Sequence, residues 1–302
     1  MHLRVILCAS GLALGAMLVN GCGSSSSPTA PTAPASDQSQ VTATLGAAAT
    51  LVDDGIAEDG SPVSASSTAL QIESAIRPYT WWQDVTHETR SWTFAWSDSD
   101  GTGHPNTVVA TLTKHMTGSL IIIPVSPSDT TQPDTTRITK PIDKTLTRKV
   151  LLRRIAIGSD KAWKVIEVTG AFVTTPSATT HILSVRLTSS SGVDTTITDP
   201  LQFNSLRHII RFGTQDSVTV TVTTTRTNDA VFIHRWDWRH RLRNNLDGTY
   251  SFTWVTSAWS GWRYFGIQAM THNSIYDDTA PFDMQAWHMP FRVAQGDVDY
   301  YP

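Results

Sequence analysis

The stretch Ser217-Val218-Thr219-Val220-Thr221-Val222-Thr223 decides the fold class. Valine and threonine alternate without a break. Successive side chains of an extended chain point to opposite faces, so Val218, Val220 and Val222 form an apolar face and the threonines a polar one. Both residue types are β-branched and favour strands. Working outward, the second half reads as strands at about 181–189, 194–198, 206–212, 217–226, 230–242, 249–257, 262–271 and 287–294. Asn244-Asn245-Leu246-Asp247-Gly248 is a hairpin turn, and Ser260-Gly261 marks another. Strands at this spacing suit a two-sheet sandwich.

Period two also governs the first half. Glu88, Arg90, Trp92, Phe94 and Trp96 alternate with His87, Thr89, Ser91, Thr93 and Ala95. A turn over 98–103 and a strand from Val108 to Ile123 complete a hairpin. Four prolines punctuate a polar excursion over 124–141, and strands follow at about 145–155 and 162–174. Upstream the period changes: Val41, Leu45, Ala48, Val52 and Ile56 predict a helix over 41–57, stopped by Asp59-Gly60. A second helix is expected over about 68–76. The fold expected is mainly β: an α+β domain over 41–176, two helices then an antiparallel sheet, followed by a β-sandwich domain over 177–302.

Composition narrows the function. The 302 residues are 40% hydrophobic and 16% charged, too apolar for a disordered polyelectrolyte. Lys and Arg number 23 against 26 Asp and Glu, without the basic excess of a nucleic-acid binder, so no nucleic-acid partner is expected. Only the N-terminus approaches the ~20 apolar residues of a membrane span.

That N-terminus is an address. His2 and Arg4 precede an apolar run from Val5 to Val19, which ends in Leu18-Val19-Asn20-Gly21-Cys22. This resembles the lipobox of bacterial lipoproteins. The resemblance implies removal of signal peptide 1–21, lipidation of Cys22 and anchoring to a membrane through the acyl chains. Gly23 after Cys22 implies the outer membrane in a Gram-negative cell. Residues 22–40, rich in Ser, Pro, Thr and Ala, read as a tether. Cys8 and Cys22 are the only cysteines, so the mature chain has no disulfide and no Cys-ligated metal.

Two further resemblances concern the fold. Helices followed by an antiparallel sheet with the late strand Lys161–Val168 weakly resemble the cone-shaped NTF2-like fold. The run Asp247–Trp254, then Gly261–Ala269, resembles the late strands of bacterial immunoglobulin-like modules, without their core Cys pair. The latter implies adhesion or ligand presentation more often than catalysis.

Searches for a reaction fail. His87-Glu88-Thr89-Arg90-Ser91 departs from the zinc-protease pattern H-E-x-x-H at Ser91. Asp98-Ser99-Asp100-Gly101 opens like a calcium loop, but Val109 stands where the bidentate Glu belongs. Asp277, Asp278 and Asp283 are a further calcium candidate. There is no G-x-S-x-G elbow, Walker A loop or dinucleotide-binding glycine run. No metal or cofactor is expected.

The densest segment is His234–Arg243. On one continuous strand, Phe232, His234, Trp236, Trp238, His240 and Leu242 share a face, and Arg235, Asp237, Arg239, Arg241 and Arg243 share the other. Either Trp236 and Trp238 fill a sandwich core, or Trp236, Trp238, Arg239 and His240 stack and hydrogen-bond a saccharide.

The reading is a lipid-anchored envelope protein with a non-catalytic binding, presentation or structural role, its partner an envelope glycan or another protein. Two alternatives stay open: a carbohydrate-binding or carbohydrate-active protein using residues 236–243, and a small-molecule binder or enzyme with a pocket in residues 41–175 lined by Trp81, Trp82 or His115.

Overall fold

The computed structural model describes residues 34–64, 75–99, 104–129, 131–157, 160–235 and 238–294. Cys22, most of the second predicted helix, the tip of the 98–103 turn and Trp236 lie outside them.

Helix α1 (Ala35–Ala47) begins inside the stretch expected as tether, and α2 (Ala49–Val52) follows it. Asp37, Val41 and Leu45 recur every four residues and are buried. Asp37 is accommodated because Arg154 donates to one carboxylate oxygen while His104 Nδ1 lies 3.2 Å from the other. The helix predicted over 41–57 stops at Val52. Gly55 takes a left-handed φ of 66°, and a single 3-10 turn, Ile56–Glu58, follows.

The rest is mainly strand. The first half supplies β1 (Val63–Ser64), β2 (Pro78–Ser99), β3 (Pro105–Pro124), β4 (Ile138–Ile157) and β5 (Asp160–Thr174). The second supplies β6 (Ile182–Ser189), β7 (Asp194–Ile197), β8 (Asn204–Ser205), β9 (Arg211–Gly213), β10 (Ser217–Thr224), β11 (Ala230–Arg235), β12 (Trp238–Arg241), β13 (Arg243–Asn244), β14 (Thr249–Val255), β15 (Gly261–Met270) and β16 (Met284–Ala294). A short helix, α3 (His272–Tyr276), separates the last two.

Two sheets result. The larger runs β1-β2-β3-β4-β5-β16-β15-β11-β12, with β8 paired to β5 and β9 to β16. Its ends approach each other, giving a nearly closed, barrel-like sheet: Trp81 of β2 meets Phe232 of β11 edge-on at 5.0 Å, and the Arg239 guanidinium of β12 lies 5.2 Å from the Trp81 ring centre. The smaller sheet runs β13-β14-β10-β6-β7. The valines of the deciding stretch, Val218, Val220 and Val222, are fully buried between the sheets with Val231, Ile233, Phe265, Ile267 and Phe291. A second core cluster joins α1 and α2 to inward residues of both halves of the large sheet, among them Leu112, Leu146, Phe232 and Ala286.

The boundary expected at 176/177 therefore marks a change of sheet, not a break in packing. β5 pairs with β16 across it, Phe172 opposite Trp287. The turn at 244–248 does join a hairpin, β13 to β14, with Leu246 and Gly248 at positive φ. Ser260-Gly261 does not, because β14 and β15 belong to different sheets. The strand expected over 230–242 is two strands, folded back so that Arg235 pairs with Trp238.

Bulges let the long strands curve. On β2, Val85 pairs with Gly118 but His87 with Thr117, so Thr86 is an extra residue. Upstream of it the odd residues Trp81 and Gln83 face the interior; downstream the even residues Trp92, Phe94 and Trp96 pack on the core. Gly118 sits opposite this bulge, where a Cβ would lie 2.0 Å from the Asp84 carbonyl oxygen. Gly118→Ala must displace that backbone and is expected to destabilise the fold by about 1–3 kcal/mol, measured as a lowered midpoint in urea with unchanged slope.

Candidate functional site: a cationic interior closed by an acidic segment

The inward face of β4 carries Lys140, Ile142, Lys144, Leu146, Arg148, Val150 and Leu152, all buried. Every fourth residue from 140 to 148 is a cation on an otherwise apolar face. Lys114 of β3 is fully buried beside them. Such charges survive out of water only when paired or fully hydrogen-bonded. Lys140 donates to the carbonyls of Ser274 (2.8 Å) and Asn273 (3.2 Å), tying down α3. The others meet one short stretch, Asp53-Asp54-Gly55-Ile56-Ala57-Glu58-Asp59.

That stretch lies in the concave interior. Lys114 Nζ donates to Asp53 at 2.8 Å and also to Glu58, while Arg90 reaches Asp53 at 2.7 Å. Arg148 donates to the Asp54 carboxylate and, at 2.8 Å, to the Val52 carbonyl. His288 Nδ1 is 3.2 Å from the other Asp54 oxygen. Burial alone would raise the Asp54 pKa; Arg148 and His288 outweigh it and hold the carboxyl far below the usual range. Lys144 donates to the Ala57 carbonyl at 2.6 Å and to Gln83. Burial, with Arg239 close by, pushes the Lys144 ammonium down to about 7.

At the mouth of this interior, β11 and β12 form a hairpin in which His234 pairs with Arg239. His234 is buried and held by the Asp59 carboxylate through Nε2. Its Nδ1 lies 3.4 Å from Arg239 Nη2, so Nδ1 accepts and the proton sits on Nε2. Burial and the Arg239 charge push His234 down to about 3, and burial lowers Arg239 to about 10. Arg239 also donates to the Asp59 carbonyl at 3.2 Å, yet its Nε and Nη1 are buried without a hydrogen-bond partner. Lys144, Arg239, His234, His288 and Gln268 line a small cavity with room for roughly one water.

The predicted site residues divide around this interior. Trp81 lies inside it, under Arg239. Trp82 faces outward, with Arg137 at 5.8 Å from its ring centre. His115 is also outward, exposed and bonded to Asp143 at 2.8 Å. Arg239, expected on a face with Arg235 and apart from His234, joins His234 instead because the chain reverses between Arg235 and Trp238. Trp238 is half-buried against the inter-sheet core, while His240, exposed, stacks on Phe252 at 5.3 Å with Trp238 edge-on to it at 4.8 Å. Of the calcium candidates, Asp277 accepts from Thr279 and Ala280 amides, and Asp283 from Thr179. Among the described residues, no cluster of three or more His, Cys, Asp or Glu could hold a metal ion.

Sequence reasoning missed Lys144, Arg148, His288 and the acidic segment. One signal was available: the cations at 140, 144 and 148 interrupt the apolar parity of a strand at regular spacing. Breaking the Asp54–Arg148 pair leaves a buried charge, so Asp54→Asn is expected to cost about 3–5 kcal/mol, while Asp54→Leu with Arg148→Met recovers most of it; urea unfolding of the three chains checks this. Lys144 generates a pH dependence. Between about 7, its folded value, and 10.5, its ordinary one, the unfolded chain holds more protons, so stability rises with pH across that window. The stability difference between the wild-type chain and Lys144→Met should grow in the wild type's favour from pH 7 upward; a flat difference contradicts it. Comparison of the chain with protein-family models, curated proteins and solved structures finds no match.

Proposed function

We propose that this chain is a non-catalytic binding protein of the bacterial cell envelope, lipid-anchored through Cys22, whose concave sheet receives an anionic group between Arg239 and Lys144. The observation that carries the binding reading is the Arg239 guanidinium: buried, beside a small cavity, with Nε and Nη1 unpartnered. A buried donor without an acceptor is costly, and sites that hold one are candidates for a ligand. The neighbouring Lys144, whose ammonium donates to the Ala57 carbonyl and Gln83, adds a second cation beside the cavity.

The anchoring part rests on Leu18–Cys22 and the Ser/Pro-rich residues after it, with Gly23 favouring the outer membrane. An immunoglobulin-like character for the second half remains part of the reading, supported by the alternating strands of the smaller sheet and the core they share with β11, β15 and β16. The carbohydrate reading is weaker, because the Trp238 ring is taken up by His240, Phe252 and Arg235.

The eleven tryptophans make unfolding easy to follow. Thermal midpoints of the full chain would be measured with succinate, inorganic phosphate, a long-chain fatty acid and neutral sugars. A ligand selective for the folded state raises the midpoint. The expected result is a rise with one or more anions that Arg239→Met abolishes. No rise with any anion, or a rise with a neutral sugar that survives Arg239→Met, overturns the reading.

A further inference from the structure

The interior grips the main chain of residues 51–59 as well as their carboxylates. Tyr264 OH donates to the Leu51 carbonyl at 2.8 Å, Arg148 to Val52 at 2.8 Å, Lys144 to Ala57 at 2.6 Å and Arg239 to Asp59 at 3.2 Å. Four side chains from β4, β12 and β15 therefore read the carbonyls of residues 51, 52, 57 and 59. Between them the cations read Asp53, Asp54 and Glu58, and His234 reads Asp59. Ile56 has its own seat: on Gly266 of β15 a Cβ would come within 2.9 Å of Ile56 Cγ2. Main-chain bonds that give affinity, with side-chain pockets that give selectivity, are how a protein recognises a peptide.

A plug needed only to fill space would be better built from apolar residues, since well-packed hydrophobic replacements of buried ion pairs are often neutral or stabilising. This one carries four carboxylates in seven residues, and it leaves Arg239 Nε and Nη1 unused. Arg148 Nε is unpartnered too, and so is Glu58 Oε2 of the segment, so occupant and interior do not fully satisfy each other.

We infer that this interior is a binding site for an acidic peptide, and that residues 51–59 occupy it as a tethered ligand that an acidic segment of a partner protein displaces. The inference rests on the anion-binding reading above and adds the ligand class: a turn-forming segment with paired carboxylates on either side of three small or apolar residues, as in Asp-Asp-Gly-Ile-Ala-Glu-Asp. A tethered occupant acts at an effective concentration in the millimolar range for a short linker. A free peptide therefore gains only by making contacts the segment does not, and the unused Arg239 donors are such contacts.

The test uses the full chain and a heavy-isotope peptide, LVDDGIAEDG, copying residues 51–60. Native-state hydrogen exchange is followed without any substitution. The expected result is that amides of 51–59 exchange at least a hundredfold faster than those of β3 and β4, and that excess peptide lowers their protection at least tenfold more. A control peptide with Asn and Gln for the acids should do neither. In a second measurement, labelled peptide should bind full-chain Asp54→Asn/Asp59→Asn at least tenfold more tightly than wild type. Exchange of 51–59 together with β3 and β4, unmoved by peptide, overturns the inference whether or not the double variant folds. If succinate or phosphate still raises the thermal midpoint in that case, the anion-binding reading stands without it; if neither does, both fall.

Discussion

Arg148 and Asp54 can exist inside this protein only together. Each is 1% exposed at its side chain, and either alone would be an uncompensated charge in a dry interior. The pair joins the middle of β4 to a segment whose own structure is a single 3-10 turn. Around it the remaining partners fall into place: Lys114 against Asp53 and Glu58, His288 against Asp54, His234 against Asp59. The large sheet bends around a filling that is part apolar and part charged. Without the acidic segment, the inward face of β4 would present three cations to one another across an apolar surface.

The two cores divide the labour. Between the sheets the packing is apolar, with Val218, Val220, Phe265 and Ile267 fully buried. Inside the curved sheet, apolar residues and charges share the same faces. Burial of valine and phenylalanine is favourable wherever it occurs, at about 25 cal/mol per Å² of apolar surface. Burial of lysine is favourable only where geometry supplies acceptors. The smaller sheet therefore reads as support, while the interior of the larger one carries a specific arrangement kept at some expense in stability.

Much of the fold was legible because strand periodicity is local. The Val/Thr alternation at 217–223 and the Asn244–Gly248 turn fix β10 and the β13–β14 hairpin from adjacent residues alone. The site was less legible because its parts meet through reversals of parity. A continuous strand over 230–242 puts Arg239 opposite in face to His234; the reversal after Arg235 puts them side by side. The bulge at Thr86 likewise brings Trp81 inward, whereas Trp82 is turned out. No local pattern announces that Asp54, inside the helix expected over 41–57, will meet Arg148 and His288. That depends on which strands neighbour each other, a property of the whole chain.

The position of the acidic segment also sets an order of events. Leu51 and Asp54 are bonded to Tyr264 and His288, which lie 213 and 234 residues further along the chain. Partners that distant close only when the last strands have joined the sheet, and contacts of long sequence separation make folding slow. The cations of Asp53 and Asp54 are nearer, Lys114 and Arg148 lying 61 and 94 residues on, in β3 and β4. Capture of the segment is thus divided: its cations come with β3 and β4, and the bonds to Tyr264 and His288 come only with β15 and β16.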